Sequence, residues 1–185
     1  MTVGLRHLTV KDCSERWASW LNNKETTRYL EARGHWTVNR LREWFRAQEA
    51  AGAQVYGIMA NDTMVGTLKL HPVLAEAWTD LGLMIGVRVQ RRCGIGTEAI
   101  RQAVELGRQA GAIGVWAGMQ EGNVGSFWAF QRAGFAVVGW RGKDLVEATD
   151  IPGVIHETLC RWPPAPPKRL AVMRRLQTLV PVEEP

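Results

Sequence analysis

The chain has 185 residues, 46% of them hydrophobic, with 23 basic against 18 acidic residues, a net charge of +5 and a pI near 9.5. That length suits one domain with a real core, and no apolar run approaches the ~18 residues that span a membrane. Cys13, Cys93 and Cys160, an odd number with no close pair, exclude a disulfide framework and a cysteine metal knuckle. The basic balance suits an anionic ligand without by itself implying nucleic acid.

The start, Met-Thr-Val-Gly-Leu-Arg-His, carries no long apolar h-region and predicts a cytoplasmic protein. Val3 to Val10 alternates enough for a first strand. Asp12 or Ser14 caps a helix to about Asn22, with Trp17, Trp20 and Leu21 on one face. Asn22-Asn23 breaks it, and residues 24–35 read as a loop in which Tyr29, Leu30 and His35 are possible pocket residues. Thr37 caps a second helix through about Ala51, ended by Gly52. Gln54 to Ala60 and Met64 to Leu70 are strand-like around Asn61-Asp62-Thr63, a hairpin signal.

A strand over Thr79 to Val87 follows, then Gln90-Arg-Arg-Cys-Gly-Ile-Gly-Thr-Glu98. Apolar residues at 95, 99, 103, 106 and 110 mark a helix face that Gly111 stops. Ile113 to Ala117 reads as a buried strand, Asn123 to Arg132 as a short helix ended by Gly134. Phe135 to Trp140 and Val154 to Trp162 read as the last two strands. Four prolines between 163 and 167 mark a boundary, dividing a domain over 1–162 from a tail over 163–185 with a possible basic helix at 168–178. The order of elements, hairpin-linked early and alternating later, indicates a mixed α/β (α+β) fold of about seven strands and four helices.

The strand, basic glycine loop and helix around Gly94 form the centre of the reading. Two glycines let backbone approach a ligand. The free amides and dipole of a helix start make an anion site, and Arg91 and Arg92 add charge, so the loop reads as a pyrophosphate cradle. Gly94-x-Gly96-x-x-Ala99 also matches a dinucleotide fingerprint. However, Arg88 to Cys93 separate it from the strand, and no second mononucleotide half fits in the remaining residues. A P-loop is excluded because no Gly-Lys-Ser/Thr follows.

Arg91-x-x-Gly94-x-Gly96, followed about 30 residues on by Asn123-x-x-Ser126, Phe130 and Gly134-Phe135, resembles the GCN5-related N-acetyltransferases (GNAT). The segments Trp20-Leu-Asn-Asn23, Thr27-Arg-Tyr-Leu30 and Ile85-Gly86 are similar to two branches: acetyltransferases of ribosomal-protein N-termini, and those of amino sugars on nucleotides. The resemblance implies a single-domain, mostly antiparallel sheet splayed at its two central strands, with acetyl-CoA as donor, an amine acceptor and no metal. It implies backbone of Arg92, Cys93, Gly94, Ile95, Gly96 and Thr97, beside Arg91, around the CoA pyrophosphate. Val87 and Val89, on a strand expected at 85–89, would pair with the pantetheine arm, and a backbone amide there would polarise the thioester. Asn123 and Ser126 would hydrogen-bond the cofactor. Two departures stand out: Arg92 where many members carry glycine, and Phe130 where many carry the tyrosine assigned to protonate the leaving thiolate.

Transfer needs a neutral amine beside a thioester. A general base contributes about 10²–10⁴-fold on top of positioning. Asp80, near the start of the strand leading to the cradle, is the first candidate base, and a solvated turn aspartate is the plain alternative. Ser126 is the candidate acid, or a cofactor hydrogen bond alone. His156, His71 and His35 are weaker candidates. Glu98 reads as a partner of Arg101 or Gln102, and Cys93 as a backbone contributor. The acceptor side is expected from residues 22–40 and 145–160, with Trp36, Tyr29 and Trp140 as walls. The readings that result are a small-amine acetyltransferase, a protein N-terminal acetyltransferase, a CoA-binding module without catalysis, or a nucleic-acid binder. The last lacks a recognition motif and an aromatic–basic stripe, and a monomer or homodimer without membrane association is expected.

Overall fold

The computed structural model describes residues 1–30, 34–72, 78–112, 114–120, 122–141 and 144–150. Among them, four α-helices and a mostly antiparallel set of strands make a mixed α/β fold. The contacts fall into two compact units, Met1–Pro72 with Leu81–Ala103, and Val73–Asp80 with Val104–Pro185.

In the first unit β1 (Val3–His7), β2 (Gln54–Ala60), β3 (Thr63–Leu70) and the later part of β4 (Trp78–Ile85) form an antiparallel ladder. The hairpin at Asn61-Asp62 is the one read from sequence. Both central residues are left-handed, with φ of 46° and 63°, as the twist-matching two-residue turn requires. Asn61 also exchanges bonds with Thr2, its amide donating to the Thr2 carbonyl and its Oδ1 accepting from the Thr2 amide, both at 3.0 Å.

Ser14, not Asp12, caps α1 (Glu15–Asn22), its Oγ accepting from the Trp17 amide at 3.4 Å. Asp12 instead closes a capping box with Thr9 around a 3-10 turn over Val10–Asp12. Thr37 caps α2 (Val38–Ala50) as expected, accepting from Arg40 at 3.2 Å. The two helices bury an aromatic cluster. Trp17 meets Trp44 and Phe45 edge-on at 6.1 and 6.2 Å, and Trp44 meets Trp36 at 6.4 Å. Leu8, Trp20, Leu41, Val55 and Met84 complete this core.

In the second unit the first residues of β4 pair in parallel with β5 (Gly114–Met119), Trp78 with Gly114 through Asp80 with Trp116. Antiparallel pairs join β5 to β7 (Asp144–Asp150) and β7 to β6 (Ala136–Arg141). The sequence reading has no strand between 141 and 153. Asp144, Glu147 and Asp150 interrupt the apolar alternation there, and β7 is extended because it has a partner on each edge. The strand expected at Val154–Trp162, with His156, lies outside the described residues, as do the proline boundary and the tail. On α4 (Val124–Ala133), Phe127 and Phe130 are buried, and Phe130 packs edge-on against Phe135 with ring centroids 4.9 Å apart. Among the described residues no helix is long and apolar enough to cross a membrane.

Candidate active site

The extended run expected to reach residue 89 ends earlier. β4 stops at Ile85. The Gly86 and Val87 amides both donate to the Val65 carbonyl, at 2.9 and 3.1 Å, and Val87 then opens a 3-10 turn over Arg88–Gln90. Val89 lies in that turn, 81% exposed, and Val87 has its amide on Val65 and its carbonyl on Gln90. Val87 is extended, with φ of −80° and ψ of 108°, but both of its backbone groups are bonded within the protein, and Val89 is no longer in a strand. The ladder indicates other residues. Hydrogen-bonded pairs alternate along antiparallel strands. With Gly86 bonded to Val65, Met84 faces Thr67 and Gly82 faces Lys69 across β3, which turns the amides of Leu83 and Ile85 to the opposite edge of β4.

Two oddities on either side of Cys93 shape the loop before α3 (Ile95–Gln109). Arg92 has φ of 62° and Gly94 has φ of 80°. The departure at Arg92 thus falls where glycine would be unstrained and arginine costs roughly 1–2 kcal/mol of left-handed strain. The Gly94 carbonyl accepts the first helical bond, from Glu98 at 3.0 Å, so Gly94 is the residue that enters the helix. It has no side chain with which to cap it, whereas Ser14, Thr37 and Asn123 cap α1, α2 and α4. Glu98 cannot substitute, because its carboxylate holds Arg101 and Gln102. The first amides of α3 therefore lack a side-chain acceptor from Gly94 or Glu98. A Cβ added at Gly94 would meet nothing within 4 Å. This backbone fits a pyrophosphate: donors, a helix dipole and open space in front of the turn. Gly96 differs, since its added Cβ would rest 3.7 Å from Leu83, an ordinary packing contact that alanine would also make.

The two arginines divide the work in a way the sequence did not reveal. Arg92 is exposed. The Arg91 guanidinium is turned inward: Nε donates to the Ile85 carbonyl at 3.1 Å, Nη2 to Thr26 Oγ1 at 2.8 Å, and Nη1 lies 3.7 Å from Glu25. The exposed Cys93 thiol donates to the Arg91 carbonyl, with Sγ at 3.4 Å.

In the second unit Asn123 is the N-cap of α4, its Oδ1 accepting from the Ser126 amide at 3.3 Å. That leaves Nδ2 as the donor able to reach a ligand. Ser126 is half-buried one turn into the helix. Phe130 is buried to within 2%, so no hydroxyl replaces the tyrosine it stands for. Asp80 is half-buried in β4. Thr79 beside it faces α3, since a Cβ at Gly107 would lie 3.4 Å from both Thr79 and Val115. By strand alternation Asp80 and its cross-strand partner Trp116 share the opposite face.

On the expected acceptor side, Asn22 holds Trp36 by two backbone bonds, Nδ2 to the carbonyl at 2.8 Å and Oδ1 from the amide at 2.7 Å. Arg40 lies 4.7 Å above the Trp36 ring, and Arg28 lies 5.2 Å from the Tyr29 ring. His71 stands next to Pro72. Its burial, with Lys69 nearby, holds the imidazole below its usual pKa. Among the described residues no group of three acidic, histidine or cysteine side chains could hold a metal.

A family model described as an acetyltransferase (GNAT) domain matches residues 2–136. A domain from Methanocaldococcus jannaschii has a similar crystal structure, with 18% identity, 81% of this chain and 99% of that chain covered, and a TM-score of 0.70. Aminoglycoside acetyltransferase AAC(6')-Ib in complex with coenzyme A and kanamycin is similar at 17% identity, covering 81% and 95%, with a TM-score of 0.70. Mycobacterium smegmatis RimJ in complex with CoA-disulfide is similar at 17% identity, covering 82% and 85%, with a TM-score of 0.72. At these identities the likenesses establish the fold. No curated protein matches the sequence.

Proposed function

The chain belongs to the GNAT acetyltransferase family and is an acetyl-CoA-dependent N-acetyltransferase; on that premise we propose that it moves acetyl directly to the primary amine of a small molecule, an amino sugar nucleotide being the first candidate. The turn entering α3 carries the donor half of this reading. Amides from Arg92 to Thr97, with a left-handed Gly94, no capping side chain on it and open space before it, are a set of donors suited to a pyrophosphate. The exposed Arg92 adds a cation at its rim. The outward amides of Leu83 and Ile85 take the pantetheine arm, and that of Ile85 polarises the thioester carbonyl. Asn123 donates through Nδ2 while its Oδ1 keeps the helix capped.

Acetyl-CoA supplies the acetyl group as a thioester open to attack by an amine. Asp80 accepts the ammonium proton, directly or through one water, and Ser126 Oγ–H donates a proton to the departing sulfur, a role closed to Phe130. The aromatic and basic residues of 22–40, Tyr29, Trp36, Arg28 and Arg40 among them, suit a sugar carrying phosphate. Following free CoA with a thiol reagent across simple amines, amino sugar nucleotides and peptides tests the proposal. Turnover with the nucleotide sugars supports it. Turnover with peptides alone replaces the acceptor by a protein N-terminus. CoA binding without turnover on the whole panel makes the chain a binding module. Asp80→Asn is expected to lower kcat by about 10²-fold; an unchanged rate removes Asp80 as the base.

A further inference from the structure

Arg91, counted from the sequence among the cradle residues, makes each of its three side-chain contacts with protein. Its side chain is only 27% exposed, so the guanidinium is held rather than waving in solvent. On one side it holds the Ile85 carbonyl, at the end of the strand proposed to carry the thioester-polarising amide. On the other it holds Thr26 and Glu25. Those two residues are presented by Asn23, whose Oδ1 accepts from the amides of Glu25 and Thr26 at 2.9 and 3.1 Å. The turn continues through Thr27, whose amide and hydroxyl both donate to the Asn23 carbonyl. Glu25 also reaches Arg88, at 3.4 Å, in the 3-10 turn after β4. Asn22, one residue before this turn, pins Trp36. One network therefore runs from the cradle through Arg91 and Arg88 into the loop expected to form the acceptor side.

We infer that Arg91 is a positioning residue that latches the 23–30 loop to the donor cradle, so that filling the cradle orders the acceptor side. The reasoning is linkage. A ligand that fixes the backbone of Arg92 to Thr97 also fixes the residue next to it. The guanidinium of that residue can keep three directed contacts only if Glu25 and Thr26 hold one arrangement. Acetyl-CoA in the cradle then raises affinity for the acceptor. By reciprocity the acceptor raises affinity for the donor by the same factor, about 5- to 150-fold in coupled sites of this kind. This rests on the proposed donor and acceptor assignments, and the experiment separates their failure from its own.

Backbone amide hydrogen exchange is measured on the full chain with and without saturating CoA. The expected result is slower exchange at 92–97 by direct contact and, by at least about 5-fold, at 23–30 through the latch. In Thr26→Val and in Glu25→Gln combined with Thr26→Val, CoA still protects 92–97 and protection of 23–30 falls toward the unliganded rate. Both replacements nearly conserve shape, at an exposed Glu25 and a half-buried Thr26, and far-ultraviolet circular dichroism verifies that they fold. Protection of 92–97 alone in the unmodified chain overturns the latch and leaves the donor reading standing. Protection at 23–30 that survives both variants also overturns it. No protection at 92–97 overturns the donor reading itself.

Discussion

Arg92 and Gly94 show how two left-handed residues of one turn can carry opposite demands. At Gly94 the conformation is free for glycine, and alanine there is expected to cost about 1–2 kcal/mol by urea unfolding. Its methyl would also enter the open space before the turn, so calorimetric titration should show weaker CoA binding. Gly96→Ala is the control. Its methyl meets Leu83 at ordinary contact distance, and alanine is expected to gain about 0.5–1 kcal/mol as a helix former with CoA binding retained. Arg92→Gly relieves left-handed strain, offset in part by extra freedom of the unfolded chain, for a net gain of no more than about 1 kcal/mol. The same variant should bind CoA more weakly and with less dependence on salt, since an exposed cation is lost. The sequence flagged Arg92 as unusual but not why, because a backbone angle is not written in composition.

At the scale of elements, caps and close approaches decide. Asn123→Ala removes the cap of α4 and is expected to cost about 1 kcal/mol. Asn123→Asp keeps an acceptor for the Ser126 amide but has no donor and adds negative charge. Its stability should stay near that of the unmodified chain while CoA affinity falls, read by thermal melting and titration together. At the end of β4, a Cβ on Gly86 would come within 2.1 Å of the buried Trp20 ring. Gly86→Ala must push the Trp20 indole out of its place in the core of the first unit, at an expected cost of about 1–3 kcal/mol, visible as a lower unfolding midpoint and altered tryptophan fluorescence. The helices were legible because Ser14, Thr37 and Asn123 are local signals, and so was the hairpin at Asn61-Asp62. β7 was not, because its extension comes from partners on both edges rather than from its own alternation. The early end of β4 was hidden too: it depends on Val65 accepting two amides.

Across the whole chain, the basic excess is consistent with an anionic donor, and pH tests the balance of buried groups. The His71 pKa is held below its usual value of 6.5 by burial and by Lys69. The unfolded chain therefore takes up this proton at a higher pH than the folded one. The stability associated with neutral His71 is complete above about pH 6.5 and is lost as the pH falls through the folded pKa. Melting temperature should thus drop between about pH 7 and 5, and His71→Gln should flatten that slope. Burial pushes the Asp12 carboxyl up, but the Thr9 amide and the Arg6 guanidinium outweigh it and hold the pKa below the usual 3.8. Its contribution is therefore lost only at lower pH, as the pH falls through that depressed value.

The amino-acid sequence by itself indicated an anion-binding turn, and its resemblance to the GNAT family, carried also by Asn123, Ser126 and Gly134-Phe135, implied acetyl-CoA as the donor. Glycines, arginines and a helix start at fixed spacing are local features, and the chemistry of an anion at helix amides follows from them without knowledge of the rest of the chain. It also determined most elements, because caps, turns and apolar periods act over a few residues. Tertiary structure decided which backbone amides face outward from β4, that Arg91 contacts Ile85, Thr26 and Glu25, and that Phe130 is core. The first two depend on groups brought together from distant positions, Val65 with Gly86 and Thr26 with Arg91, and the third on the packing of α4 into the core of its unit. Contacts of that kind are set by the register of the ladder and the packing of helices, which no local pattern encodes.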